Sequence, residues 1–385
     1  LYTEAKRAGR EERFQVFHLG FPDKSVSYNP VGSYSRITEV ATRIAGQLPN
    51  EGNSAAFREF AWRYVNVIAK ALDDMSEPIT YQNLLDSGSD IDQLLSRYLA
   101  YVAAEAGLET WTDRVGAMVD SDIKLPPQMK GRDRRAWASV ECFRECQLES
   151  QTANSLIKTF EHDKSHFDKL VASLFPLLEK LTSGPAAQLL SPTDTGERSH
   201  RRLNWGQVIK SGGIVYVGLD ALSDPDVASA VGNAMFADLT SVAGSLYKES
   251  QSGGTAPRIS VHADEFNELV GREFVPLANK AGGAGFQLTA YTQTLSDIVA
   301  RFDSQARAGQ VVGNLGTLIM LRVKEQATAE LLTSRLKEVE INHLMLESGT
   351  TDSSNPETDI HFVSNTRQRI TSQRVPMIHT GDLDA

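Results

Sequence analysis

The sequence predicts an α/β chain with an all-helical unit inserted into it. Three observations carry this prediction. A short apolar run of strand character lies near the start, at Phe14–Leu19. From about Asn53 to Leu181 the periodicity is almost entirely helical. From Ile214 onward, apolar runs alternate with helical stretches, the pattern of a parallel sheet covered on both faces. The expected boundaries are 1–52 for the first α/β part, 53–190 for the helical insertion and 191–385 for the second α/β part.

Taken in order, residues 1–10 read as a helix end, with Lys6 and Arg7 in the last turn and Gly9 as the stop. Phe14–Leu19 is a strand bounded by Gly20 and Pro22, and Asn29-Pro30 marks a turn. Phe57, Phe60, Ala61, Tyr64, Val65 and Ile68 recur at spacings of three and four, which places them on one helical face, with Ser54 as N-cap. Further helices are expected over Ile91–Ala106, Leu108–Val119, Arg134–Phe160 and Asp163–Leu181. Residues 183–203, rich in Pro, Gly, Ser and Thr, read as a loop between domains. Ile214–Leu219 is the next strand. Asp224-Pro225 then opens a helix, Asp as N-cap and Pro at the first position, running to about Lys248. Strands are expected at Ile259–Ala263, Phe286–Tyr291 and Leu318–Val323, and an antiparallel hairpin at Asp359–Val363 and Arg369–Val375 around Ser364–Gln368.

The 385 residues suffice for two or three domains of about 150 residues each. With 41% hydrophobic and 23% charged residues, the chain is neither disordered nor collagen-like. A net charge of −10 excludes a general nucleic-acid coat, so a phosphate polymer could bind only through a local basic strip. Two cysteines exclude a disulfide framework and point to the cytosol. No apolar run approaches the ~20 residues of a membrane helix, and no signal peptide precedes the charged first residues. Starting at Leu1 rather than methionine, the sequence is expected to be a fragment.

The strand end Ile259-Ser-Val-His-Ala-Asp-Glu265 is the best local candidate for chemistry. P-loop NTPases place two carboxylates beside a nucleotide in this way. The Asp, here Asp264, holds Mg2+ through water, and the Glu, here Glu265, orients and deprotonates the attacking water. An acidic pair is equally an ordinary way to begin a surface turn. The next strand ends at Tyr291-Thr-Gln293, and a Gln beside such a pair can contact the γ-phosphate; a solvated polar strand end is the alternative. No G-x-x-x-x-G-K-[ST] occurs in the chain, and the glycines of Lys280–Gly285 precede a strand instead of following one.

Other features invite weaker readings. Cys142-x3-Cys146 and His162-x3-His166 approach a zinc-finger spacing, but one helix from Arg134 to His166 would hold the pairs about 30 Å apart. The basic clusters Lys130–Arg135 and His200–Arg202 could touch phosphates or form solvated loops. Trp62, Trp111 and Trp137 sit at helical spacing among apolar neighbours, as core residues do.

At this point the chain resembles a family, the coupling-protein ATPases of conjugative type IV secretion (the TraD/TraG group). Tyr28-Asn-Pro30 resembles its early Asn-Pro turn, and Phe57–Leu72 the first helix of its all-α domain. Ile214–Leu219 resembles its return strand, His262–Phe266 its Walker B segment, and Asn279–Gln293 the segment leading to the motor's Gln. Val375–Ile378 with Asp382-Leu383 resembles a C-terminal motif. These pieces span nearly the whole chain in family order, most similar to the TraD-like proteins of integrative conjugative elements.

The resemblance implies a RecA-like P-loop NTPase motor domain with an inserted all-α domain, using ATP and Mg2+. It implies homo-hexamers at the cytoplasmic face of the bacterial inner membrane, anchored by transmembrane helices that precede the motor. Their partners would be single-stranded DNA, relaxase and relaxosome proteins, and type IV secretion channel components. Asp264 takes the magnesium role, Glu265 the water-activating role and Gln293 the γ-phosphate-sensing role. The Walker A loop and membrane helices are expected upstream of Leu1, leaving this fragment soluble and inactive alone. Where many members carry a trans-acting arginine, this chain has Gly282. Lys280 is the nearby substitute, without the planar guanidinium fork, and Arg272 and Arg301 are alternatives. Gly218–Asp224 is a candidate channel loop, and the helical insertion a candidate contact for relaxosome proteins or the entering strand. The competing readings are a non-catalytic interaction module on a degenerate motor fold and a hexameric DNA pump outside conjugation.

Overall fold

Aromatic and β-branched residues set the first pair of strands. In the computed structural model, which describes residues 1–48, 54–121, 124–162, 171–192, 202–251, 257–269, 271, 274–302, 304–353, 361–378 and 383, Phe14–His18 (β1) pairs in parallel with Ile214–Gly218 (β2). The helix Trp205–Ser211 leads into β2 through Gly212, whose φ of +65° suits a residue without Cβ. A second parallel pair joins Ile259–Ala263 (β3) to Phe286–Ala290 (β4), Ile259 facing Phe286 and Ala263 facing Ala290.

These four strands form two separate pairs among the described residues, and β3–β4 is not covered on both faces as the apolar runs suggested. The reason lies in their period-two patterning. Ser260, His262, Gln287 and Thr289 share one exposed face, while Ala263 and Phe286 turn inward. Beneath them, Phe274 packs edge-on against Phe266 and against Phe236 of the long helix Pro225–Gln251.

Between the two halves run helices Ser54–Asp74, Tyr81–Ser89, Ile91–Glu105, Trp111–Asp120, Arg134–Glu145, Gln151–Phe160 and Leu174–Leu181. Ala61, Tyr64, Val65 and Ile68 are buried as their spacing predicts, whereas Phe57, on the first turn, is exposed. The expected single helix Arg134–Phe160 is two, because Ser150 accepts the Ala153 N–H and starts a new helix. The expected loop 183–203 contains a helix, Gly184–Leu190, whose Leu189 and Leu190 are buried; its Ala-Ala-Gln-Leu-Leu stretch outweighs the turn-forming residues around it. One buried cluster runs from Phe17 and Tyr28 through these helices to Val227 and Met235.

By compactness the chain divides into Leu1–Tyr291 and Thr292–Ala385. The second unit has helices Leu295–Phe302, Gln305–Gly313 and Gln326–Thr333, followed by an antiparallel ribbon of Glu338–Ser353 (β5) and His361–Pro376 (β6). Here the sequence expectation needs correcting. β6 runs straight through Ser364–Gln368, and its partner is β5, in a register that sets Glu340 opposite Arg374 and Glu347 opposite Arg367. The connecting residues 354–360 lie outside the described residues. Leu318–Val323 is irregular, not a strand: the strands described in this unit pair with each other, and an apolar run without a ladder partner gains no β hydrogen bonds.

Candidate functional site

The C-terminal end of β3 carries the acidic pair. The ladder stops at Ala263, and Phe266, fully buried, begins the short helix Phe266–Leu269. Asp264 and Glu265 must therefore bridge a strand and a buried anchor within two residues. Glu265 does so at φ +46°, a left-handed conformation that costs a residue with a Cβ about 1 kcal/mol. Asp264 Oδ1 accepts the Glu265 N–H at 3.0 Å, and Glu265 O accepts the Glu268 N–H at 2.9 Å. Both acidic side chains are exposed.

Tyr291, directly after β4, brackets this turn. Its N–H donates to Ala263 O at 2.9 Å, and its carbonyl accepts the Phe266 N–H at 2.8 Å. Its hydroxyl lies 3.1 Å from His262 Nδ1, and His262 Nε2 lies 3.0 Å from Ser260 Oγ. The two rings stack at 6.2 Å between centroids with 19° between planes. Sequence reasoning gave Ser260 no role and took His262 only as the start of the Walker B-like segment. Their i, i+2 spacing was the available signal, since it puts both on one face.

The remaining candidates are dispersed. Lys280 ends the helix Phe274–Lys280 and is exposed; it leads through Ala281–Ala284 to the N-terminal end of β4. In the parallel pair that is the end opposite the acidic turn, about five residues or ~16 Å along the strands. Gly282 has open space where a Cβ would project. Gln293 lies exposed in a bend just past β4, at the start of the second unit. Arg301 is exposed on the helix Leu295–Phe302, and Arg272 lies outside the described residues. In the loop after β2, Leu222 is fully exposed and Asp224 Oδ1 caps the next helix.

Two sequence clusters serve structure. Arg132 is buried, paired with Asp92 at 2.9 Å and donating to His162 O at 3.1 Å, with its guanidinium over the Phe160 ring. Arg132 is thus a structural residue, while Lys130, Arg134 and Arg135 are exposed, and Asp133 caps the helix Arg134–Glu145. Cys142 Sγ contacts Met118 Sδ, and burial together with neighbouring Glu145 pushes its thiol pKa up. Cys146 Sγ accepts from Arg114. His166, His200 and Arg201 lie outside the described residues. Among those described, no group of three or more His, Cys, Asp or Glu side chains is placed to hold a metal.

Residues 258–384 match the family profile described as the TraM recognition site of TraD and TraG. The bacterial conjugative coupling protein TrwBdeltaN70, in its unbound form, superposes over 97% of this chain and 69% of its own, with a TM-score of 0.51 at 11% identity. Over residues 258–384 the chain is similar to TraD and TraG. Plasmid coupling protein TrwB in complex with ADP and Mg2+ matches over the same shares, with a TM-score of 0.51 at 10% identity. At these identities the likeness establishes the fold alone, a RecA-like fold with a helical domain. No curated protein sequence matches. The acidic turn stands at the C-terminal end of a parallel strand pair, the end at which open α/β sheets bind ligands. No described helix is long and apolar enough to cross a membrane.

Proposed function

We propose that this chain is the motor part of a conjugative coupling protein, in which Asp264 and Glu265 serve ATP hydrolysis that drives DNA and relaxase transfer. The observation that carries the reading is the exposed acidic pair at the C-terminal end of β3, held in a turn with Glu265 at positive φ. Asp264 fits a magnesium ion held through water: one carboxylate oxygen accepts a backbone N–H, and the exposed group remains open to the ion's water shell. Bound Mg2+ would offset phosphate charge. Glu265 would orient and deprotonate water, Gln293 would sense the γ-phosphate, and Lys280 would act electrostatically on a neighbouring subunit.

Residues 1–385 contain no G-x-x-x-x-G-K-[ST], so the reading requires a phosphate loop from elsewhere in the intact protein. The domain assignment is a motor at 1–52 and 191–385 with a helical insertion at 53–190. The intact protein would assemble as a homo-hexamer at the inner membrane, handle single-stranded DNA and engage the secretion channel. The profile match over 258–384 supports a relaxosome-protein contact there.

The test is Glu265→Gln in the intact protein. Loss of ATP turnover and of DNA transfer, with nucleotide still bound, is expected. Unchanged turnover and transfer would instead favour the second reading, a non-catalytic interaction module.

A further inference from the structure

We infer that His262 and Tyr291 form a positioning pair that holds the Asp264–Glu265 turn in its working geometry. The inference rests on the motor reading above. Tyr291 meets the acidic turn from both sides through its backbone, at Ala263 O before it and at the Phe266 N–H after it. Those two bonds fix the turn only if Tyr291 itself is held. It stands past the last ladder residue of β4, and its side chain is half exposed, so buried packing does not hold it. The phenol is tied back instead to the neighbouring strand, by its hydrogen bond and ring stacking with His262. His262 is in turn oriented through its second ring nitrogen by Ser260 Oγ. In either neutral tautomer one ring nitrogen donates and the other accepts, and both hydroxyls can answer.

Glu265 gives this chain its purpose. A residue at φ +46° sits in a sparsely populated conformation and relaxes toward negative φ unless its flanks are pinned. The Ala263 and Phe266 bonds to Tyr291 are those pins. Loosening Tyr291 would let the turn relax and swing the Glu265 carboxylate, while leaving the buried Phe266–Phe274 contact beneath it in place. A small misplacement of a water-orienting group reduces turnover more than it reduces nucleotide affinity.

The experiment compares wild type, Tyr291→Phe, His262→Ala and His262→Gln in the intact protein, by ATP turnover and by amide hydrogen exchange at Phe266. Glu265→Gln is the reference for loss of chemistry. Tyr291→Phe and His262→Ala are expected to lower kcat about fivefold, the effect of one neutral hydrogen bond, with KM and Tm nearly unchanged. Exchange at the Phe266 and Tyr291 amides should quicken by a similar factor, with exchange elsewhere unaltered. His262→Gln, whose amide can both donate and accept, is expected to restore kcat and protection. Equal losses in His262→Gln and His262→Ala, or a Phe266 amide unmoved in all three variants, would overturn the inference. If Glu265→Gln leaves turnover intact, the motor reading fails, while amide exchange still decides whether the pair pins the turn.

Discussion

Replacing Arg43 by methionine tests the deepest polar contact of the first unit. The Arg43 side chain is 3% exposed; it donates to Pro30 O at 2.9 Å and lies 3.4 Å from Glu39 and 3.7 Å from Asp238 Oδ1. Asp238, on the long helix Pro225–Gln251, is itself buried and accepts from the Tyr28 hydroxyl at 3.0 Å. At 3.7 Å the Arg43–Asp238 contact is an ion pair without a hydrogen bond, so Asp238 Oδ1 depends on charge alone. Methionine keeps most of the apolar stem and removes the charge, leaving Asp238 with the hydroxyls of Tyr28 and Ser33. Losing one partner of a buried pair costs about 3–5 kcal/mol. For the 291 residues of this unit, at about 2.1 cal/mol/K each, that lowers Tm by about 5–8 °C if the unit melts as one.

The pH dependence gives a sharper check. Burial raises the Asp238 pKa, while Arg43 and the Tyr28 hydroxyl pull it down. A carboxyl with a raised folded pKa keeps a proton that the unfolded chain releases, so stability falls as pH rises from about 4 through the folded value. Without Arg43 that pKa rises further and the window widens. Thermal melts should show a larger loss near pH 7.5 than near pH 5, and the double variant Arg43→Met/Asp238→Asn should recover part of it. A loss equal at both pH values, or a double variant as unstable as the sum of its parts, would show that packing and not the uncompensated charge accounts for the effect.

Two further predictions concern backbone geometry. Asp224→Ala removes the acceptor for the Asp226 and Val227 N–H groups, both at 3.1 Å, and should cost about 1 kcal/mol in urea unfolding, with Asp224→Asn close to wild type. Gly212→Ala forces a Cβ onto φ +65°; the nearest atom, Arg13 Nη1, would be 3.6 Å away, so only the backbone cost of about 1 kcal/mol is expected. A larger loss in a urea titration would mean that packing is disturbed as well.

Local signals were legible wherever one element answers to its own residues. The strands at Phe14, Ile214, Ile259 and Phe286, the Asp224-Pro225 helix start and the Gly9 and Gly212 turns all follow from short-range chemistry. The similarity to TraD and TraG within 258–384, too, could be read from ordered short motifs. The failures share a cause. Glu338–Ser353 pairs with a strand whose nearest residue is eight positions further on, and neither half of that ribbon has a strongly apolar face of its own. Leu318–Val323 has the composition of a strand and no ladder partner among the described residues. Arg132 looked like a surface charge because its partner Asp92 lies forty residues earlier.

The acidic pair itself was readable, because Asp-Glu at the end of an apolar strand is a local pattern. That Tyr291 clasps it from both sides was not, since that depends on β4 lying parallel to β3 in one register. Sequence alone determined the alternation of elements and the chemistry available at each strand end, because propensity, capping and periodicity act within a few residues. Tertiary structure alone decided which strands pair, which charges are buried and which side chains hold the turn, because desolvation and hydrogen bonding depend on neighbours that the chain brings together only by folding.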